Sequence, residues 1–167
     1  MNWDALRMIH LWLPESSDGW HQHPNGGGWV QDTATVANTV LVGEHALVYG
    51  EARVYGEAQV YGEALVSDEA QVSGEARVSD EALVCGALSR SPLSVSGLLP
   101  WMINDAGSGL LGIGCECHRL SEWREQLPEI AKRHHAEEFV PVIRDVVLPL
   151  FDRWFAEHPD AIVVGHS

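Results

Sequence analysis

Residues Ala46–Gly86 read ALVYGEARVYGEAQVYGEALVSDEAQVSGEARVSDEALVCG. Valine returns at every sixth position, and the series runs without a gap from Val30 to Val84. Alanine follows most of these valines by four residues, from Ala34 and Ala46 to Ala82, with Val40 in its place once. Two residues after the valines, Gly50, Gly56, Gly62, Gly74 and Gly86 share the series with Asp32, Asn38, Asp68 and Asp80. Glycine, Asp and Asn tolerate the backbone of a corner. A period of six matches neither a helix nor a simple alternating strand. It is the repeat of a parallel β-helix, in which each hexapeptide supplies one short strand and one corner. The valines then point inward.

Three hexapeptides make one coil, so a second period, of eighteen, assigns residues to the sides of a triangular prism. Every third residue preceding a valine is Trp29, Leu47, Leu65 and Leu83. Neighbours in a strand alternate sides, so this row faces outward. An outward apolar row needs a cover, and the expected cover is another subunit, in a homotrimer packed along these four residues. Tyr49, Tyr55 and Tyr61 ring one coil, one per side; Ser67, Ser73 and Ser79 replace them one coil later. The ring reads as a girdle of the prism edges or as a stacking platform for a planar ligand. Glu51, Glu57 and Glu63 stack on Glu69, Glu75 and Glu81, which sets like charges ~4.8 Å apart from coil to coil. Those edges are either solvated guards against aggregation or an imitation of a nucleic-acid backbone that fills a basic groove of another protein.

The repeat resembles the left-handed β-helix of the hexapeptide-repeat superfamily over about residues 29–88. Its best-known members are trimeric acyltransferases, with a γ-class of carbonic anhydrases alongside. The resemblance implies a mainly β fold: a left-handed parallel β-helix of about three coils, followed by a small α+β C-terminal cap. Such acyltransferases carry a catalytic histidine near a subunit interface and often a loop between coils. Here the run from Val30 to Gly86 is uninterrupted and holds one histidine, His45. Acidic coils suit the phosphates of coenzyme A poorly, and three zinc-binding histidines are absent from the repeat. The layout WHQHPNGGGWVQDTATV (20–36), then VYGEA repeats, then IGCECHRLSEW (113–123), resembles small phage and prophage hexapeptide-repeat proteins. This resemblance implies a non-catalytic binding protein in the cytoplasm of an infected or lysogenic host. It would inhibit host defence by blocking a protein or by sequestering a nucleotide signal. The enzymatic alternative is an acyltransferase that uses acetyl-CoA through His45 or a histidine of the cap.

The chain has 167 residues, enough for one domain with an appendage, and 46% are hydrophobic, enough for a core. The net charge of −14, from 24 acidic and 10 basic residues, argues against direct nucleic-acid or anionic-membrane binding. Three cysteines, an odd count with no basic leader before an apolar run, read as reduced thiols. No apolar run reaches the ~20 residues of a membrane span.

Residues 1–28 are expected to cover the open end of the first coil. His21 and His23 lack an evident third ligand and read as part of a polar turn, so no metal or other cofactor is expected. Residues 89–108 break the period and read as an irregular linker. In the C-terminal domain, 109–167, expected as one hairpin-like β element and two helices, the stretch Gly109–His118 reads as a strand, with Leu111, Ile113, Cys115 and Cys117 on an apolar face. The two thiols are then structural, with a thiolate assisted by His118 as the lesser alternative. Ser121 is the expected cap of a helix beginning at Glu122, whose stripe is Trp123, Leu127, Ile130 and Ala131, and which Pro128 should bend. A second helix over about Ala136–Glu157 carries Phe139, Val142, Ile143, Val146, Val147, Leu150, Phe151 and Trp154, distorted by Pro141 and Pro149. The tail Asp160–Ser167 reads as a short edge strand. Lys132, Arg133, His134 and His135 form the one basic cluster. They are either cations at a helix C-terminus or an anion site for a nucleotide.

Overall fold

The computed structural model describes residues 1–159; the expected edge strand over Asp160–Ser167 lies outside the described residues. The chain begins with α1 (Trp3–Ile9) and β1 (Trp20–Gln22). The repeat then forms β2 (Trp29–Gln31), β3 (Thr35–Val36), β4 (Leu41–Val42), β5 (Leu47–Val48), β6 (Arg53–Val54), β7 (Gln59–Val60), β8 (Leu65–Val66), β9 (Gln71–Val72), β10 (Arg77–Val78), β11 (Leu83–Val84) and β12 (Ala87–Leu88). Strands β2 to β11 start six residues apart, as the valines predict. They assemble into three parallel ladders, β2-β5-β8-β11, β3-β6-β9-β12 and β4-β7-β10. The result is a parallel β-helix of about three coils. Val30, Val48, Val66 and Val84 are in register, eighteen residues apart.

The core of the prism follows from that register. Valines from Val42 to Val84 and alanines from Ala46 to Ala82 are buried. Between coils, Leu47 N–H donates to the Ala64 carbonyl at 3.0 Å and Tyr49 N–H to the Val66 carbonyl at 2.9 Å. Every strand is therefore bonded through its backbone to its equivalent, while the small side chains fill a narrow interior. At the corners Gly50 (φ 71°) lies over Asp68 (φ 57°), and a Cβ on Gly50 would meet the Asp68 amide nitrogen at 2.8 Å. The corner needs a left-handed backbone and close stacking, which is why Gly and Asp share it.

Residues 1–28 cover the open end, and they do more. β1 pairs antiparallel with β2, and Gly28 N–H donates to the Val42 carbonyl at 2.8 Å, so two edges of the first coil are closed. α1 lies instead against a side of the prism. Trp3, Leu6 and Leu13 form a cluster with Trp29 and Leu47, with Leu65 at its border. Part of the row expected to form the subunit contact, Trp29, Leu47, Leu65 and Leu83, is therefore covered within the chain itself. The row is outward and apolar, but the chain's own N-terminal segment seals its first half; Leu47 is 0% exposed. Leu83 is buried near the cap and Leu65 stays half-buried between the two ends.

The region 89–108 is corrected. It contains β13 (Ser94–Val95) and the fully buried β14 (Ile103–Gly107). β14 heads the cap sheet β13-β14-β15-β16, with β15 (Leu110–Ile113) and β16 (Glu116–Arg119). It also closes the far end of the prism. Leu83 N–H donates to Asn104 Oδ1 at 3.2 Å, Asn104 Nδ2 donates to the Leu83 carbonyl at 2.8 Å, and Gly86 N–H donates to the Ala106 carbonyl at 2.9 Å. A side-chain amide and a crossing strand thus occupy the place of the next coil. A Cβ on Gly86 would meet the Gly107 carbonyl oxygen at 2.6 Å.

The stretch Gly109–His118, expected as a strand in a hairpin-like β element, itself makes the hairpin, turning at Gly114 (φ 58°) and Cys115. The turn ends the alternation, so Leu111 and Ile113 are buried and Cys115 is exposed. α2 (Leu120–Arg133) continues across Pro128 with the expected buried stripe. Its N-cap is Arg119, whose backbone N–H donates to Glu122 at 2.8 Å, and not Ser121. The second helical region comprises a 3-10 turn (Glu137–Phe139), α3 (Val140–Val142), a π-turn (Ile143–Val147) and α4 (Leu148–Glu157). Pro149 has no N–H for the Asp145 carbonyl, and the wider turn precedes it. That extra residue rotates the face: Val147, Leu148, Phe151 and Phe155 are buried, whereas the expected Val146 and Leu150 are exposed. No described helix is long and apolar enough to cross a membrane.

Candidate functional site

Where the apolar row emerges from under α1, and before the cap covers it, a cleft of about 500 Å³ opens. Its floor is Leu65 and Leu83. Trp12 and Tyr49, with ring centroids 5.0 Å apart, line it together with Trp101 and Met102 from the cap side of the chain. The period of eighteen explains the floor. Three rows run along this side of the prism: His45–Glu63–Glu81, Leu47–Leu65–Leu83 and Tyr49–Ser67–Cys85. A second trench of about 410 Å³, lined by His45, Asp80, Ser96 and Leu99 among others, shares Glu63, Glu81, Trp101 and Met102 with the cleft. The two form one groove with carboxylates in its middle.

The electrostatics are one-sided. Glu63 and Glu81 are exposed and stacked, and Asp68 and Asp80 stand at neighbouring corners. No Lys or Arg lines either part of the groove. Among the described residues neither Glu63 nor Glu81 has a cationic partner. Burial pushes the Tyr49 hydroxyl above its ordinary range, against a hydrogen bond with Ser67 and together with the charge of Asp68. Tyr49 therefore presents a neutral ring and hydroxyl to the groove.

The remaining candidates distribute unevenly. Glu51, Glu57, Glu69 and Glu75 are exposed on other edges, as are Tyr55 and Tyr61 on other sides. His45 lines the trench, and its carbonyl accepts from His10 Nε2 at 3.2 Å, which fastens the chain after α1 to the prism. His21 pairs with Asp32 at 2.8 Å, while His23 is buried and accepts from the Asn25 amide at 3.3 Å. Among the described residues no group of three His, Cys, Asp or Glu is placed to hold a metal ion.

The basic cluster is not an open anion site. Glu116 lies in its middle, accepting from His134 Nε2 at 2.7 Å, from His118 Nε2 at 2.7 Å and from Arg133 at 3.1 Å. Burial works against the carboxylate, but the hydrogen bonds from His134 and His118 and the Arg133 charge outweigh it and hold Glu116 below its ordinary range. Only Lys132 and His135 of the four are left outside this clamp. His118 is thus an ion-pair partner that ties β16 to the end of α2. Beside the clamp, Trp101, Ile113, Leu127, Ile130 and Ile143 line an apolar slot of about 60 Å³.

The cysteines also differ from expectation. Cys85, at the end of the last full repeat, is bonded to Cys117 in β16, and Cys115 is free. The bond ties prism to cap. All three cysteines line the cleft. Sequence reasoning missed the pairing because the 32 residues between Cys85 and Cys117 cross the domain boundary. The signal available was the position of Cys85 in the outward Tyr49–Ser67 row. The chain matches no family model, no curated protein and no solved structure in comparisons with known proteins.

Proposed function

We propose that the protein is a non-catalytic binding protein whose groove holds a basic segment of a partner protein. The observation that carries this is the stacked, unpaired pair Glu63 and Glu81, which lines one groove with the aromatic side chains Trp12, Tyr49 and Trp101. Carboxylates attract Lys or Arg, and indole and phenol faces accept the same cations and their aliphatic stems. In the setting that the resemblance to phage proteins implies, such a partner is a nucleic-acid-binding component of host defence, blocked at its basic surface. The rival version, capture of a nucleotide, has less support, because Glu116 already occupies Arg133 and His134.

The test is a fluorescence-anisotropy titration of the full chain with an arginine-rich peptide, and with an acidic peptide as control. Binding of the basic peptide should weaken as salt rises. The Glu63→Gln/Glu81→Gln double variant should bind it about tenfold more weakly or worse, and Trp12→Ala should weaken it with little change in salt dependence. Absence of binding at low salt, or unchanged binding by the double variant, overturns the proposal. Stabilisation by acetyl-CoA in a thermal-shift assay would move the reading to the acyltransferase. Native mass spectrometry counts the copies and reports any retained ligand.

A further inference from the structure

A second kind of chemistry lines the same groove and is independent of what occupies it. Cys85 leaves the prism just after β11 and is bonded to Cys117 of β16. Cys115 is exposed at the turn two residues before Cys117, and all three sulfur-bearing side chains line the cleft. Cys115 belongs to neither the prism core nor the cap core, and its exposed position at the turn leaves the thiol accessible. Thiol–disulfide exchange needs a thiol with access to a disulfide sulfur, and here a free thiol and a disulfide line one cavity.

We infer that the cleft is a thiol–disulfide exchange site in which Cys115 attacks Cys85, so that the disulfide migrates between Cys85–Cys117 and Cys85–Cys115. Cys115 gives its proton to water and attacks as the thiolate. Its electron pair forms the Cys115–Cys85 bond as the Cys85–Cys117 bond breaks. Cys117 leaves with the electron pair and takes up a proton. One thiol and one disulfide stand on each side of the reaction, so it needs no oxidant. Attack at Cys85 leaves β16 paired with β15. The exchange moves the tether between prism and cap from a paired strand to the turn. There Gly114 lies against the Trp101 side chain, which a Cβ on Gly114 would meet at 3.3 Å. The tether thereby shifts toward a residue that lines the groove.

The experiment uses the full-length protein purified without reductant. It is incubated in mildly alkaline buffer, quenched in acid with N-ethylmaleimide, digested and mapped by mass spectrometry. Fragmentation then locates the alkylated thiol at Cys115 or Cys117. The expected result is label at Cys115 at the start and a growing share at Cys117, with Cys85 disulfide-bonded throughout. A single connectivity at every time, or label on all three cysteines, overturns the inference. Cys117→Ser should still protect two thiols, through a Cys85–Cys115 bond; two free thiols in that variant would also overturn it. Because the map of the unaltered protein decides by itself, a variant that fails to fold does not obscure the outcome.

Discussion

From Val40 to Val84 the interior of the prism is built only of Val and Ala, each lying on its equivalent one coil away. The interior of the cap uses Trp123, Phe151, Phe155, Leu127 and Ile143, none of which repeats. The prism spreads its stability over many similar contacts and a backbone ladder that any sequence with the right corners can form. The cap concentrates its stability in a few large side chains and two buried polar residues of β14. Asn104 replaces a strand at the end of the prism. Asp105 accepts from Trp154 Nε1 at 2.9 Å and from the Gly107 amide at 3.0 Å, and so fastens α4 to the sheet. A repeated region tolerates single losses better than a region in which each residue has one role.

The largest effect should come from the cap core. Phe151→Ala should destabilise by about 3–5 kcal/mol, against about 2 kcal/mol for Val66→Ala in the prism, measured by urea denaturation. Equal losses would break the contrast.

Asp105→Ala comes next, at about 2–3 kcal/mol, because it leaves the buried Gly107 amide and the half-buried Trp154 indole N–H without their acceptor. Asp105 also has a sign in pH. Burial raises its carboxyl above the ordinary range, against the hydrogen bonds from Trp154 and Gly107 and the charges of Arg90 and His158. A raised carboxyl favours folding in its protonated form. Its contribution is full below the ordinary Asp range and declines as pH rises through the folded value. In Asp105→Ala that decline should disappear from a pH series of unfolding midpoints.

Glu116 has the opposite sign. Its lowered value means that its contribution is present above the ordinary Glu range and is lost as pH falls through the folded value. Glu116→Gln should flatten this acid limb, with a loss near neutral pH of about 1 kcal/mol or less, since the clamp is open to solvent. An unchanged acid limb would show that the clamp does not stabilise the cap.

The smallest effect belongs to the tyrosine ring. Tyr55→Ser should change stability by less than about 0.5 kcal/mol, because Tyr55 is 46% exposed. Tyr49→Ser should lose more, since Tyr49 packs between Trp12 and Trp20. Similar values for the two would mean that the N-terminal segment does not set this side apart.

The repeat was legible because its information is local and periodic. Valine at six gives the strands, Gly and Asp give the corners, and the eighteen-residue period places Leu47, Leu65 and Leu83 on one side. The apolar stripe of α2, Trp123 to Ala131, was legible for the same reason. Glu63 and Glu81 were visible as a stacked pair, but six glutamates repeat alike in the sequence, and only the neighbours that fold over one edge distinguish this pair.

The linear order of residues therefore determined the prism, its register and its acidic, apolar and aromatic rows. Tertiary structure decided which row became a groove. α1 covers Trp29 and Leu47, Trp101 and the hairpin turn approach from the cap, and Cys85 meets Cys117 across the boundary. Those contacts join residues far apart in the chain, whose pairing has no period to announce it. They form because an exposed apolar face must be covered, and the nearest unpaired apolar side chains belonged to the two ends of the same chain.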